Sequence, residues 1–292
     1  MHTHRRNLIM FTSALFFAIM LFLLPADNKN KDPANDKVIA LVNGEKILSS
    51  DRVKITKIIE VMNLYQLKGE ALNKAVRQYE VNALIANIRQ TITRQKIAEL
   101  GLSVSDKEVQ SKVEEIFKTI DNNSANEIIR TSNATYEALQ AWQKDPSMSD
   151  NIYKELLAPL NTREEDWELL KLVYDTPEEL TKMQVPKTIE DMKKFSFESA
   201  RNDLLYQKLI DNVTKVTVTE DEIKEAYNLK YGDWNHESAF DEVKDKIREQ
   251  LIKEEQSAAF TEWLNEQYNK AKIEIKDQRY KEVLNILRTG IK

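Results

Sequence analysis

The chain has 292 residues, a net charge of -5 and an apolar fraction of 41%, which are values of a folded protein rather than a disordered one. It has no cysteine, and this excludes disulfides, a thiol nucleophile and Cys-ligated zinc. Histidine occurs only at His2, His4 and His236, too few for a multi-histidine metal site. No basic stripe is present, so we expect no nucleic-acid partner.

Residues 1–26 have the pattern of an export signal. Arg5 and Arg6 precede the uncharged apolar segment Leu8–Leu24, which is just long enough to span a bilayer. Because arginines favour the cytoplasmic side, the body of the protein is expected outside the cytoplasm. We expect an uncleaved signal anchor, with a cleaved signal peptide as the alternative. Residues 27–37 are polar and predict a linker.

A small sheet is predicted from three short apolar segments. Two of them, 38–42 and 45–48, flank Asn43 and Gly44, the strongest signal for a two-residue hairpin turn. A two-stranded hairpin alone is marginal in water. The third segment, Lys272–Lys276, therefore predicts a strand that brings the two ends of the chain into one sheet.

Helices are predicted for most of the remaining chain, since it contains only five glycines and six prolines. A long helix is expected over about 72–100, with Gly101 ending it. Two capping boxes, in which Ser or Thr is followed three residues later by Glu, open further helices. They are Ser105 with Glu108 and Thr219 with Glu222.

The C-terminal part predicts one long helix from Ser238, followed by the strand and an amphipathic tail, 278–292. Apolar residues repeat at helical spacing in both helices. They are Phe240, Val243, Ile247, Leu251, Phe260, Trp263 and Leu264 in the long helix, and Tyr280, Val283, Leu284 and Leu287 in the tail. A helix as short as the tail needs a partner for its apolar face. We expect that partner to be the body of the same chain, with a homodimer or a client groove as alternatives.

These segments resemble a known family in their order along the chain. "VIALVNGEKILSSD" is similar to the start of SurA-type chaperones and PrsA-type foldases, and "LIANIRQTITRQKIAELGLSVSDKEVQSKVEEI" is similar to their next element. "KVTVTEDEIKEAYNLKY" and "SAFDEVKDKIREQLIKEEQSAAFTEWLNEQYNKAKIEI" resemble later elements. The resemblance implies a mainly α fold with a small β-sheet, in which the N- and C-terminal segments pack together.

The chain departs from this family pattern mainly by an absent domain, and also in the segment of about 121–194 and in the tail beyond the closing strand. Members usually carry parvulin-type prolyl isomerase domains before the C-terminal helix, whereas here only "YNLKYGDWNHE" separates the flanking segments. A parvulin domain needs on the order of a hundred residues. We therefore expect a SurA-like chaperone domain over 38–120 plus 195–277, a helical insert over 121–194, and no isomerase domain.

Candidate client-binding residues come from two apolar helical segments. They are Ile55, Ile58, Met62 and Tyr65 in the first, and Trp167, Leu170 and Tyr174 in the second. The apolar surface of the first helix is wider than a surface helix normally buries. Both patterns fit a surface for unfolded chains, for which adaptable Met and Tyr are suited. They fit helices buried on two sides equally well.

The sequence predicts no catalytic residue, no metal and no cofactor, because it lacks a glycine-rich phosphate loop and a nucleophile–base arrangement. We expect an extracytoplasmic, ATP-independent chaperone that binds unfolded exported polypeptides and contacts the membrane through its N-terminal segment. The alternative from another class is an envelope scaffold that docks one folded partner. The last alternative is a prolyl isomerase, against which the missing domain argues.

Overall fold

The computed structural model describes residues 37–49, 69–231 and 237–289. In these ranges the fold is mainly α-helical with one small antiparallel sheet, which confirms the predicted class. The strands are β1 (Val38–Val42), β2 (Glu45–Leu48) and β3 (Ile273–Ile275). The main helices are α1 (Glu70–Glu99), α2 (Asp106–Lys118), α3 (Asn122–Lys144), α4 (Glu164–Val173), α5 (Pro177–Thr181), α6 (Ile189–Val213), α7 (Glu220–Tyr231), α8 (Glu237–Lys270) and α9 (Glu282–Thr289).

The sheet joins the two ends of the described chain, as predicted. Its strand order is β2-β1-β3, and β1 pairs with β3 in an antiparallel register that places Leu41 opposite Glu274. The hairpin turn places Asn43 at φ 53 and Gly44 at φ 87, the left-handed conformation that these two residue types tolerate best. The Asn43 backbone N–H also donates to the Lys272 carbonyl at 2.9 Å.

The predicted helix ends are present. Gly101 has φ 62 and donates to the Ala98 carbonyl, while Leu102 donates to the Ile97 carbonyl, which is the Schellman pattern that ends a helix. Ser105 caps α2 with both hydrogen bonds of a capping box. The second capping box begins α7.

The C-terminal tail is folded onto its own chain. A 3₁₀ turn, Gln278–Tyr280, leads into α9, which packs on α8 and β3. Tyr280 and Val283 are completely buried, and Leu287 is nearly so. The apolar face predicted for the tail is therefore covered by the body of the same molecule.

The chain divides into two compact units. Among the described residues, unit 1 contains 37–39, 47–49, 69–86 and 104–203, and unit 2 contains 40–46, 87–103, 204–231 and 237–289. Unit 1 has a hydrophobic core that runs from Ala138 to Met183, within the segment predicted as a helical insert. Unit 2 has a smaller core where α7 meets α8, centred on Ile223, Tyr227 and Ile247. The insert as a separate domain stays a prediction.

Candidate functional site

The second predicted client-binding segment lies in the core of unit 1. Trp167 is 1% exposed, and Leu170 and Tyr174 are also buried there. The Trp167 indole donates to the Ser149 hydroxyl at 3.2 Å and meets the Trp142 ring edge-on, with centroids 6.4 Å apart. Burial raises the pKa of Tyr174 to about 12. In this conformation the three predicted side chains stabilise a core, and their contact with a client stays a prediction.

The remaining predicted client-binding residues belong to the first apolar segment. Ile55, Ile58, Met62 and Tyr65 lie outside the described residues. Their role in client binding stays a prediction based on the apolar pattern alone.

The structure brings together an aromatic group that sequence reasoning did not single out as a site. We define the aromatic patch as Tyr206 on α6 with Phe260 and Trp263 on α8, all in unit 2. The Tyr206 and Phe260 rings meet edge-to-face with centroids 5.3 Å apart, and Phe260 stacks on Trp263 at 5.2 Å. Phe260 and Trp263 lie three residues apart on α8, so they share one face of that helix.

Exposure increases across the aromatic patch from its base to its edge. Phe260 is buried, Trp263 is partly buried and Tyr206 is 38% exposed. Leu209, one turn beyond Tyr206 on α6, is completely buried and holds that helix in place. The patch is therefore a rigid aromatic base with an accessible rim, a form that offers large contact area at low cost in side-chain entropy.

Two polar groups border the aromatic patch. The Arg89 Nε on α1 donates to the Tyr268 hydroxyl on α8 at 3.4 Å. Burial raises the pKa of the Tyr206 phenol, the positive charge of Arg89 opposes this shift, and Tyr268 adds to it. Tyr268 lies on the same helix as Phe260 and Trp263, so the hydrogen bond holds the Arg89 side chain against α8. Because its pKa is raised, the Tyr206 phenol is neutral near pH 7, and the rim combines this hydroxyl group with the guanidinium of Arg89.

Other exposed apolar side chains in the described part of the chain are not members of the aromatic patch. Leu229 on α7 is 82% exposed and Tyr79 on α1 is 47% exposed. Single exposed apolar residues are normal on protein surfaces and need no functional reading. They provide matched positions against which the aromatic patch can be tested.

The described residues contain no group of three or more side chains placed to hold a metal ion. No helix in 37–49, 69–231 or 237–289 has the length and apolarity needed to cross a membrane. The predicted signal anchor, 1–26, lies outside these ranges, and anchoring stays a prediction.

The N-terminal half of the chain matches a known protein family. The family model of the SurA-like N-terminal domain matches residues 1–157, which include the hairpin, α1, α2 and α3. The chain belongs to this family, a chaperone-type periplasmic family whose N-terminal domain is a non-catalytic chaperone module. No curated protein and no solved structure matches the chain.

The signal for the aromatic patch was only partly present in the sequence. The apolar periodicity of the long helix includes Phe260 and Trp263, but it does not link Tyr206 to them. Apolar periodicity shows that one face of a helix packs against other elements, but it does not show which residues of that face stay exposed. Only the packing of α6 against α8 identifies the exposed rim.

Proposed function

We propose that this protein is an extracytoplasmic chaperone that binds unfolded exported polypeptides reversibly and without ATP, and that the aromatic patch is a contact surface for them. Membership in the SurA-like N-terminal domain family supports the general role. One observation supports the location of this surface. It is the partly exposed group of three aromatic rings, in which neighbouring ring centroids lie 5.2–5.3 Å apart.

The physical basis of such binding is weak contact between the aromatic rings and many different client side chains. Aromatic rings gain free energy from burial and from edge-to-face or stacked contacts with many different apolar groups. An unfolded client presents such groups in no fixed geometry, and aromatic rings accept many of them at modest affinity because ring contacts do not require one particular apolar partner. The neutral Tyr206 hydroxyl can in addition donate to exposed client carbonyls, which every sequence provides.

The test is suppression of aggregation. Two unrelated chemically denatured proteins are diluted into buffer with the purified full chain, with and without ATP, and light scattering is followed. We expect suppression of both clients that does not depend on ATP. Prolyl isomerisation in a test peptide is expected to proceed at its uncatalysed rate, which relaxes over roughly 10–100 s.

The site is tested with matched variants. Tyr206→Ser combined with Trp263→Ser is expected to reduce suppression several-fold, because two partly exposed rings of the patch are removed. Tyr79→Ser removes an aromatic ring of similar exposure elsewhere and should leave suppression unchanged. Equal activity of the patch variant and the control would refute the patch as the site. Failure of the wild type to protect either client, together with tight binding of one folded envelope protein, would favour a scaffold.

A further inference from the structure

We infer that the surface beside the aromatic patch has a preference for client segments in which a carboxylate lies next to apolar side chains, with Arg89 as the group that binds the carboxylate. This inference rests on the proposed client-binding function. It states that the preferred client segment carries a negative charge and that Arg89 determines this preference.

The first observation is the pairing state of the arginines. The described ranges contain nine arginines, and seven of them lie within 4.0 Å of a carboxylate of the same chain. Among these described residues, only Arg89 and Arg288 have no carboxylate at that distance. Arg89 is exposed and contacts Tyr268 on α8, the helix that carries Phe260 and Trp263. Among the described residues, no carboxylate at ion-pair distance competes with an outside group for its positive charge.

The second observation is the way Arg89 is held. Its Nε donates to Tyr268, which is almost fully buried and fixed within the packing of α8. This contact occupies the Nε side of the guanidinium and leaves the two terminal nitrogens, which can donate in parallel to the two oxygens of one carboxylate. Restricting the guanidinium in advance lowers the entropy lost when that pair forms.

The third observation is the position of the charge relative to the rings. Arg89 contacts Tyr268 on α8, five residues beyond Trp263, and Tyr206 is in ring contact with Phe260 on the same helix. A client carboxylate bound by Arg89 would therefore have neighbouring apolar side chains over the aromatic patch. Segments that combine the two features gain both contacts at once, whereas a purely apolar segment gains only the second.

The expected preference is modest because the site is exposed to water. Exposed ion pairs contribute about 0.2–1 kcal/mol, which corresponds to a preference of at most about fivefold in Kd. The preference should decline as salt is raised from low to high concentration, since exposed charges are screened over roughly 10 Å at 0.1 M.

The experiment measures binding of one labelled apolar peptide in four forms to the full chain by fluorescence anisotropy. The forms have a free C-terminal carboxylate, a C-terminal amide, an amide with one internal Glu beside a Tyr, and an amide with Gln at that same position. We expect a carboxylate form to bind about three- to fivefold more tightly than its neutral counterpart. Preference for the free terminus alone identifies client C-termini, and preference for Glu over Gln identifies internal acidic residues.

Variants assign the effect to one residue. Arg89→Gln should abolish the preference and keep the affinity for the amide peptide, and Arg89→Lys should retain part of the preference. Arg288→Gln removes the other arginine without an ion pair in the described ranges and should change nothing. Far-UV circular dichroism verifies that each variant is folded.

Two results would overturn the inference while leaving the proposed function intact. One is equal binding of all four peptides by the wild type, and the other is a preference that persists in Arg89→Gln. If none of the peptides binds and no denatured client is protected, the proposed function itself fails, and the inference fails with it.

Discussion

Asn43 provides a sharp test of how the two ends of the chain are joined, because one side chain connects three elements. Its Oδ1 accepts from the Lys272 backbone N–H at 2.9 Å, next to β3. Its Nδ2 donates to the Gln95 Oε1 on α1 at 2.8 Å. Its backbone is left-handed, with φ 53. Asn43→Ala removes both side-chain hydrogen bonds and places alanine in a conformation that it disfavours.

The magnitude follows from these separate effects. Each hydrogen bond is exposed, so its loss costs about 0.5 kcal/mol, the low end of the usual range. The left-handed conformation costs alanine about 1 kcal/mol. We therefore expect Asn43→Ala to lower the free energy of opening of the sheet by about 2 kcal/mol. Asn43→Gly keeps the conformation available and should cost about half as much.

The assay is hydrogen exchange of the β1 and β3 amides, which reports local opening. The matched control is Asn161→Ala, because Asn161 is the other non-glycine residue with positive φ in the described part of the chain, at 56. It lies far from the sheet in sequence and should leave exchange of both strands at the wild-type rate. The reasoning would be refuted if Asn43→Ala left both strands unchanged, or if Asn43→Gly opened them as much as Asn43→Ala.

Three further predictions concern the core, a helix cap and the tail. Trp167→Ala should destabilise the protein by about 3–5 kcal/mol in urea unfolding because the ring is fully buried, and a cost no larger than that of the partly exposed Trp142→Ala would contradict this. The pKa of Glu222 lies below its ordinary value of 4.5, because backbone and hydroxyl hydrogen bonds from the cap residue favour the carboxylate. The contribution of the Glu222 carboxylate to stability is therefore present above pH 4.5 and lost as pH falls through the lower pKa of the folded state. Glu222→Ala should make the free energy of unfolding fall less steeply with acidification than in the wild type. The same pH dependence in both proteins would argue against the cap. Amides of 283–287 should be protected from hydrogen exchange at all protein concentrations because α9 packs on its own chain, and protection that disappears on dilution would indicate a dimer instead.

Local signals in the sequence predicted the elements of this fold well. The turn at Asn43 and Gly44, the glycine that ends α1 and the capping boxes of α2 and α7 each depend on a few neighbouring residues. Their conformations are fixed by backbone sterics and short-range hydrogen bonds, which can be recognised without tertiary structure. Even the pairing of β3 with the hairpin was accessible, because a hairpin alone lacks sufficient stability.

Local signals in the sequence do not predict which apolar and charged side chains are exposed. The periodicity of the segment around Trp167 shows an apolar face, and the structure buries that face against α3 and neighbouring turns. Tyr206 and Phe260 are far apart in sequence, and their contact depends on how α6 and α8 pack. The absence of a carboxylate beside Arg89 in the described structure likewise depends on all elements around it. These features follow from tertiary packing, which periodicity does not encode.

Photo-crosslinking tests the central claim most directly. A benzophenone amino acid is introduced in place of Tyr206, or in place of the more exposed Leu229 as a control, and the full chain is irradiated with unrelated unfolded polypeptides or with their folded forms. We expect crosslinks from position 206 to several unfolded polypeptides, few from position 229, and none to the folded forms. Equal crosslinking from both positions, or crosslinking only to a folded partner, would contradict a client-binding surface at the aromatic patch.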